Sequence, residues 1–125
     1  MLSETMVHTT LPALDLERAK QWYRDKLGLS PVEETSSGAR YEAGGGTAFI
    51  VYPTPNPSRG GHTQMGFRVR DLAAEMTALR GAGVVFEEYD IPGFRTVDGV
   101  ADMGGRRSAF FKDSEGNLLG MVEYA

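Results

Sequence analysis

The sequence predicts an α+β fold built from two copies of one βαβββ module. The first observation behind this prediction is an internal repeat with an offset of 56 residues, which aligns Asp15 with Asp71 and Arg24 with Arg80. The second is that each copy has the same order of patterns: alternating apolar and polar residues, then apolar residues at helical spacing, then alternation again. A duplicated supersecondary unit accounts for both observations.

The first predicted module covers residues 1–54. Its first strand is predicted at residues 6–11, where apolar and polar residues alternate. Asp15 is a good helix N-cap because its carboxylate can accept amide hydrogens of the first turn, and Gly28 suits the left-handed residue that ends a helix. Between these two residues, Leu16, Ala19, Trp22 and Tyr23 have helical spacing and should face the core. Three short strands are predicted after the helix, at residues 31–34, 38–43 and 47–52.

The second predicted module covers residues 62–125 and follows a linker at residues 53–61 that contains three prolines. Asp71 is its predicted N-cap. The helix is predicted to end at Gly81 or Gly83. The module also contains five predicted strands, at residues 64–69, 84–90, 99–103, 108–112 and 118–123. The loop at residues 90–99 is longer than a turn requires, and is either a lid over a pocket or a surface loop that could contact a second subunit.

The composition places the chain among single globular domains and excludes several functions. The 125 residues are 41% hydrophobic and 24% charged, which is unlike a disordered chain. The net charge of −4 argues against nucleic acid or an anionic membrane as a partner, because both require a basic surface. The absence of cysteine excludes disulfides and thiolate chemistry. Without a signal-peptide pattern or an apolar run of ~20 residues, a cytoplasmic location is expected.

The two faces of the predicted strands differ in residue type. One face is small and apolar, and would leave a dry cavity with a glycine floor that suits an apolar or planar guest. Its members are Thr10, Ala48, Ile50, Tyr52, Gly66, Leu118, Gly120 and Val122. The opposite face carries Phe49, Val51, Phe67 and Val69, which we expect to pack under the helices.

Two motifs resemble a known family. Residues 8–19, followed by Trp22-Tyr23 and Leu27-Gly28, resemble the opening of the vicinal oxygen chelate superfamily. This superfamily includes glyoxalase I, bleomycin-resistance proteins, fosfomycin-resistance enzymes and extradiol dioxygenases. Residues 111–118 resemble its closing motif, with Ser114 where proline is usual. The resemblance implies a single domain over residues 1–125, two modules that form a barrel-like cavity, and a homodimer in which modules from both chains can share a site.

The resemblance also implies where a divalent metal would bind in metal-dependent members. The corresponding positions here are His8, Ile50, Gln64 and Gly120, and only the histidine is a competent ligand. We therefore expect no metal and no other cofactor. In an alternative register His62 would lie beside His8, with Glu42 or Glu123 as a third ligand.

The favoured function is metal-independent binding of a planar, largely apolar compound, as in bleomycin-resistance proteins and antibiotic self-resistance. The alternative is a divalent-metal-dependent lyase, isomerase or dioxygenase, so whether the protein is an enzyme stays open. His8 is either a pocket group that could act as a general base or an inherited strand histidine, and Gln64 either binds the guest or pairs with His8 or the backbone. The candidate ligand-binding residues are His8, Thr10, Ile50, Tyr52, Gln64, Arg68, Phe94, Met103 and Phe110.

Overall fold

Two four-stranded sheets, each covered on one face by a helix, make up the computed structural model, which describes residues 1–124. Sheet A has the order β1-β4-β3-β2, and sheet B has the order β5-β10-β9-β8. The strands of the first module are β1 (Thr9–Ala13), β2 (Glu33–Thr35), β3 (Gly38–Glu42) and β4 (Ala48–Pro53). Those of the second are β5 (Met65–Arg68), β6 (Asp90–Ile91), β7 (Phe94–Arg95), β8 (Ala101–Asp102), β9 (Arg106–Lys112) and β10 (Leu118–Tyr124), with β6 and β7 forming a separate hairpin.

The two sheets have the same topology. In each sheet the first strand of the module pairs in parallel with the last, β1 with β4 and β5 with β10, and the other pairings are antiparallel. This confirms the predicted α+β fold of two βαβββ modules. Within residues 1–124 the strands β1 and β5 do not pair, so the sheets stay separate and no closed barrel is formed.

The helices begin at the predicted caps. Helix α1 (Leu16–Trp22) starts after Asp15, whose carboxylate accepts a hydrogen bond from the amide of Arg18 at 3.0 Å. Helix α2 (Leu72–Gly81) starts after Asp71, which caps it in the same way. A π-helical turn (Tyr23–Leu27) extends α1 to Gly28, whose φ of 68° is the left-handed conformation expected at that position.

The strand predicted at residues 84–90 is wrong. Only Phe86 forms a bridge there, to Phe111, and the chain then enters the β6–β7 hairpin. Side-chain bonds replace the expected ladder: the Glu88 carboxylate accepts hydrogen bonds from the Thr96 hydroxyl at 2.6 Å and from the Gly99 amide at 2.7 Å. These bonds lower the pKa of Glu88 and keep it ionised as an acceptor.

The first strand lies later in the chain than the predicted residues 6–11, because β1 begins at Thr9 and ends at Ala13. Its partner β4 begins at Ala48, and Thr9 pairs with Phe49, so residues before position 9 have no neighbouring strand. Met6 and Val7 are exposed in this preceding segment. No helix within residues 1–124 is long and apolar enough to cross a membrane.

The core lies between the sheets and their helices and is rich in aromatic rings. Tyr41 and Phe49 stack with centroids 4.8 Å apart, and Tyr23 packs against both rings. Trp22 stacks on Phe111 of β9 at 6.2 Å, which joins the helix of the first module to the sheet of the second. The predicted core residues Phe49 and Val51 are buried, whereas Phe67 and Val69 are half-buried.

The turn between β9 and β10 holds the two modules together. The side chain of Glu115, which is fully buried, accepts hydrogen bonds from the Arg18 guanidinium at 2.8 and 3.0 Å and from the Asp15 amide at 2.9 Å. Burial opposes ionisation of this carboxyl, but the hydrogen bonds from Arg18, the Asp15 amide and Ser114 outweigh it and lower the pKa of Glu115 to about 2.

The same turn makes a second contact with the first module, in which the donor is the neutral phenol of Tyr23. The hydroxyl of Tyr23 donates to Asp113 at 2.6 Å. Burial raises the pKa of Tyr23, so the phenol stays protonated and remains a donor. The Asn117 side chain also crosses the junction and donates to the carbonyl of Pro12 at 2.9 Å.

Candidate functional site

Each sheet has an inner face, which is the face turned away from its helix. The strand register defines the inner face of sheet B as three rows of residues that lie across the strands. The rows are Gly66, Gly120 and Phe110; Arg68, Val122 and Ser108; and Tyr124 with Arg106. The first row contains two glycines, so this part of the sheet is open to a guest.

An aromatic triad, Tyr89, Phe94 and Phe110, lies at one end of this inner face. The three rings pack edge to face, with centroids 5.5 Å (Tyr89–Phe94), 5.7 Å (Phe94–Phe110) and 5.9 Å (Tyr89–Phe110) apart. The β6–β7 hairpin supplies Phe94, and β9 supplies Phe110. All three residues are only half-buried, so the triad offers aromatic surface to a ligand.

Glycine at position 120 lies directly against the Phe110 ring. A Cβ atom at Gly120 would lie 3.4 Å from two atoms of that ring, which is the near limit of ordinary van der Waals contact, so it would fit only closely. A larger residue would push Phe110 away from Tyr89 and Phe94, or would cover the ring. The glycine of β10 therefore leaves room for Phe110 on the inner face.

A cationic group lies at the other end of the inner face. The guanidinium of Arg68 stacks on the ring of Tyr124 at 4.4 Å, and that of Arg106 lies 6.0 Å from the same ring. Within residues 1–124 neither guanidinium forms a salt bridge. The Tyr124 ring thus contacts two positive charges at this end of the inner face.

A groove of about 450 Å³ runs between the two sheets, where β1 faces β5. His8 and Thr9 line one wall, Gly66 and Arg68 line the other, and Ala48 contributes to its apolar lining. At the far end of these strands the modules are closed by Asn117, so the groove opens at the end that holds His8 and Arg68. The groove connects the edge of sheet A to the cationic end of sheet B.

Gln64 lies beside the groove but uses its amide within the protein. Its oxygen accepts hydrogen bonds from the Ser58 hydroxyl at 2.7 Å and from the Leu118 amide at 3.1 Å. Its nitrogen donates to Asn117 at 2.9 Å. These bonds fit the alternative in which Gln64 pairs within the protein, here with the Leu118 backbone and two side chains. Gln64 thereby joins the start of β5 to the start of β10.

The other candidates from the sequence lie in separate places. Thr10, Ile50 and Tyr52 are on the inner face of sheet A, where Thr10 is exposed and the other two are half-buried. Met103 is 49% exposed in the turn before β9. The structure thus brings Phe94 together with Phe110, and His8 together with Arg68, but does not gather all the candidates in one pocket.

The residues at the metal positions implied by the family do not fit a metal. Ile50 and Gly120 have no donor atom, and the amide of Gln64 is engaged as described. His62 is exposed, precedes β5, and is absent from the lining of the groove that holds His8. Within residues 1–124 no three His, Cys, Asp or Glu side chains come close enough to hold an ion. We derive no chemical step through a metal.

Two residues of the inner face were not among the candidates from the sequence. They are Arg106, which begins β9 directly after two glycines, and Tyr124, which ends β10. The signal that could have found them is the alternation of β10: Gly120, Val122 and Tyr124 share one face, and Tyr124 pairs with Arg106 on β9.

Comparisons with known proteins give one family and many similar folds. The family model described as Glyoxalase/Bleomycin resistance protein/Dioxygenase superfamily matches residues 5–121. A comparison with curated proteins finds no match. The crystal structure of UcmS2 aligns with a TM-score of 0.76 at 18% identity, over 97% of this chain and 98% of UcmS2.

Two further solved structures cover almost the whole chain. TnmS3, an antibiotic binding protein from Streptomyces sp. CB03234, has a TM-score of 0.64 at 21% identity, with 97% of this chain and 98% of TnmS3 covered. A glyoxalase family protein from Enterococcus faecalis has a TM-score of 0.72 at 19% identity, with 98% of this chain and 100% of that chain covered. At these identities the likeness shows the fold alone.

Proposed function

Because the chain belongs to the Glyoxalase/Bleomycin resistance protein/Dioxygenase superfamily, we propose that it binds and sequesters a flat, largely apolar small molecule without a metal. The observation that carries this proposal is the half-buried aromatic triad of Tyr89, Phe94 and Phe110 on the inner face of sheet B. Edge-to-face packing holds the three rings in place before a guest arrives, and preorganised aromatic surface binds planar compounds at low entropic cost.

The biological role that fits this binding is protection against a toxic compound, as in antibiotic self-resistance within the cytoplasm. One structural neighbour, TnmS3, is an antibiotic binding protein with the same fold. Sequestration requires shape and apolar contact, whereas turnover requires an activated group. The site offers the former in the triad and the groove, and two of its four metal positions, Ile50 and Gly120, have no side-chain donor atom that could hold an activating ion.

We propose that the working form is a homodimer in which the second copy completes the wall opposite the triad. The inner faces of both sheets are open, and β2 and β8 end their sheets without a further partner within residues 1–124. The segment before β1 exposes Leu2, Met6 and Val7 and could supply apolar contacts to a second copy. Light scattering coupled to size-exclusion chromatography tests this part, since a mass of one chain would contradict it.

Binding can be tested with an uncharged aromatic fluorophore that contains a planar naphthalene ring, 2-(p-toluidino)naphthalene, titrated into the protein in the presence of EDTA. We expect saturable binding with a stoichiometry of about one probe per chain, because each chain has one aromatic triad. Phe94→Ala should weaken the affinity about tenfold, because it removes one ring of the triad. Val97→Ala is the matched control, since Val97 lies on the same segment but is 62% exposed and outside the triad.

The two variants separate a specific site from general adsorption. Equal affinities for wild type, Phe94→Ala and Val97→Ala would place the probe elsewhere and contradict the proposed site. Dependence of the binding on added Zn²⁺, Ni²⁺ or Mn²⁺ would contradict the metal-independent mechanism. Unfolding by urea, measured for each variant, checks that a lost affinity reflects the missing ring and not a lost fold.

A further inference from the structure

We infer that the compound bound by this protein carries an anionic group, such as a carboxylate, sulfonate or phosphate, at the end away from its aromatic part. This inference rests on the proposed function and deepens it, because it names the chemical class of the guest. The anion would lie at the end of sheet B where Arg68 and Arg106 contact the Tyr124 ring, and the aromatic part would lie against Phe110 and the rest of the triad.

The geometry of sheet B sets the distance between the two parts. Phe110 and Arg106 are four residues apart on β9 and point to the same face, so their Cα atoms are separated by about 13 Å. Arg68 pairs with Val122, one row closer to the triad, which is about 7 Å along the strand from the Gly120 row. An elongated planar molecule can therefore touch the triad while its charged end meets the two guanidiniums.

The surface between the two ends allows such a molecule to lie flat. Gly66 and Gly120 have no side chains, and Val122 and Ser108 are small. A Cβ atom built on Gly66 would meet only one backbone atom, at 3.9 Å, so the face is open there. The path from the aromatic end to the cationic end is thus neutral and unobstructed by large side chains.

Among residues 1–124, two acidic side chains near the cationic end, Glu123 and Asp102, are engaged elsewhere or lie on the other face. Glu123 accepts a hydrogen bond from the Leu72 amide at 2.9 Å and pairs with Arg107 at 3.6 Å, on the helix side of sheet B. Asp102 borders a small cleft with Arg106 and accepts from the Gly104 amide at 3.2 Å. Neither carboxylate forms a salt bridge with Arg68 or Arg106 in residues 1–124.

The positive charge at this end of sheet B contrasts with the negative charge of the whole protein. The chain has a net charge of −4, so general electrostatics repel an anion. Two guanidiniums that have no carboxylate partner among residues 1–124, and that contact one aromatic ring, form a local positive charge against this negative balance. Guanidinium groups bind carboxylates, sulfonates and phosphates through charge-assisted hydrogen bonds, which are stronger than neutral ones.

The test compares two probes that differ only in charge. 6-(p-Toluidino)naphthalene-2-sulfonate is the same ring system as 2-(p-toluidino)naphthalene with a sulfonate at the far end. We expect the sulfonate to bind about tenfold more tightly than the neutral probe at low salt, because the two guanidiniums add charge-assisted contacts. Arg68→Gln and Arg106→Gln should each bring the ratio of the two affinities, sulfonate over neutral probe, most of the way back to one.

Arg107→Gln is the matched control, because Arg107 is the neighbour of Arg106 but lies on the opposite face and pairs with Glu123. It should leave the ratio of the two affinities unchanged. Raising the ionic strength should weaken only the sulfonate. Circular dichroism and urea unfolding of each variant show that the fold is intact.

The outcomes separate this inference from the proposed function. If the neutral probe binds at the triad but the sulfonate binds no more tightly, the inference is overturned and the proposed function stands. The same holds if Arg107→Gln reduces the sulfonate's advantage as much as Arg68→Gln, since the effect would then be general attraction. If neither probe responds to Phe94→Ala, both the proposed function and the inference are overturned.

Discussion

The inner faces of the two sheets have the same topology but opposite chemistry. On sheet A the single arginine, Arg40, is neutralised by Glu42 at 2.9 Å and lies 3.7 Å from Glu33, both on neighbouring positions of the same face. On sheet B, Arg68 and Arg106 have no such partner within residues 1–124. A duplicated module therefore need not have duplicated function, and the second copy carries the features that suit a ligand.

The aromatic residues divide in the same way. In the first module the rings of Tyr23, Tyr41 and Phe49 are buried between the sheet and its helix, where they stabilise the core. In the second module Phe94 and Phe110 lie on the inner face and are only half-buried. The longer connection in the second module, which forms the β6–β7 hairpin, is what brings Phe94 there.

The largest predicted effect comes from two adjacent phenylalanines that point to opposite faces of β9. Phe111 is fully buried against Trp22 and Phe86, so Phe111→Ala should lower the free energy of unfolding by about 3–5 kcal/mol. Phe110→Ala should cost only about 1 kcal/mol in stability but should abolish most probe binding. Urea unfolding and fluorescence titration of both variants measure this. Similar losses of stability in the two would contradict the assignment of faces.

The junction between the modules gives the next largest effect. Glu115→Gln should lower the free energy of unfolding by about 2 kcal/mol at pH 7, because Arg18 and the Asp15 amide lose a charged acceptor. The expected loss of stability is no larger than this because Arg18 is half exposed, and solvent screens its interaction with Glu115. Urea unfolding at pH 7 measures it, and an unchanged midpoint would show that the junction is dispensable.

The same carboxyl predicts a dependence on pH. The pKa of Glu115 falls from 4.5 to about 2 on folding, so its contribution is present above pH 4.5 and is lost as the pH falls towards 2. Wild type should therefore lose more stability than Glu115→Gln over this interval. Parallel curves of unfolding free energy against pH for the two proteins would show that this group does not carry the effect.

A smaller loss of stability is expected at Gln64. Gln64→Leu leaves Ser58, Asn117 and the Leu118 amide without a partner, which should cost about 1–2 kcal/mol. If the Gln64 amide stabilises only the fold, the midpoint of thermal or urea unfolding of Gln64→Leu will fall while its affinity for the neutral probe stays the same. A weaker affinity at unchanged stability would instead assign Gln64 to the ligand.

These predictions depend on features that the sequence indicated to different degrees. The repeat and the caps were readable because Asp15 and Asp71 each precede a helical stripe, and local patterns determine such starts. Residues 84–90 alternate like a strand, yet Glu88 bonds to Thr96 and Gly99 and takes the place of a partner strand. A side chain that bonds across a loop leaves no periodic signal.

The candidate site was predictable where it follows strand parity. Alternation predicts Gly66 and Gly120 on one face, and the strand register pairs these two residues on neighbouring strands. The fully buried Glu115 could not be recognised, because its partner Arg18 is 97 positions away in the chain and the turn motif alone reads as a loop. Long-range ion pairs depend on how the modules pack, and single-strand patterns do not contain that information.

The smallest expected effect is the one that tests the comparison between the two faces. Arg40→Gln removes the only arginine from the inner face of sheet A, and it should leave the affinity for the sulfonate probe unchanged, since Arg40 is already paired with Glu42. The fluorescence titration used for Arg68→Gln measures this directly. A loss of affinity equal to that of Arg68→Gln would mean that both sheets bind the anion.

The most direct test of the proposed binding site is a ¹H–¹⁵N chemical-shift map of the protein titrated with 2-(p-toluidino)naphthalene in EDTA. We predict that the shifts concentrate on the inner face of sheet B, at the amides of Gly66, Phe110 and Gly120 and in the hairpin around Phe94. Shifts confined to the helices, or to sheet A around Ile50 and Tyr52, would contradict the assignment of the second module as the ligand-binding half.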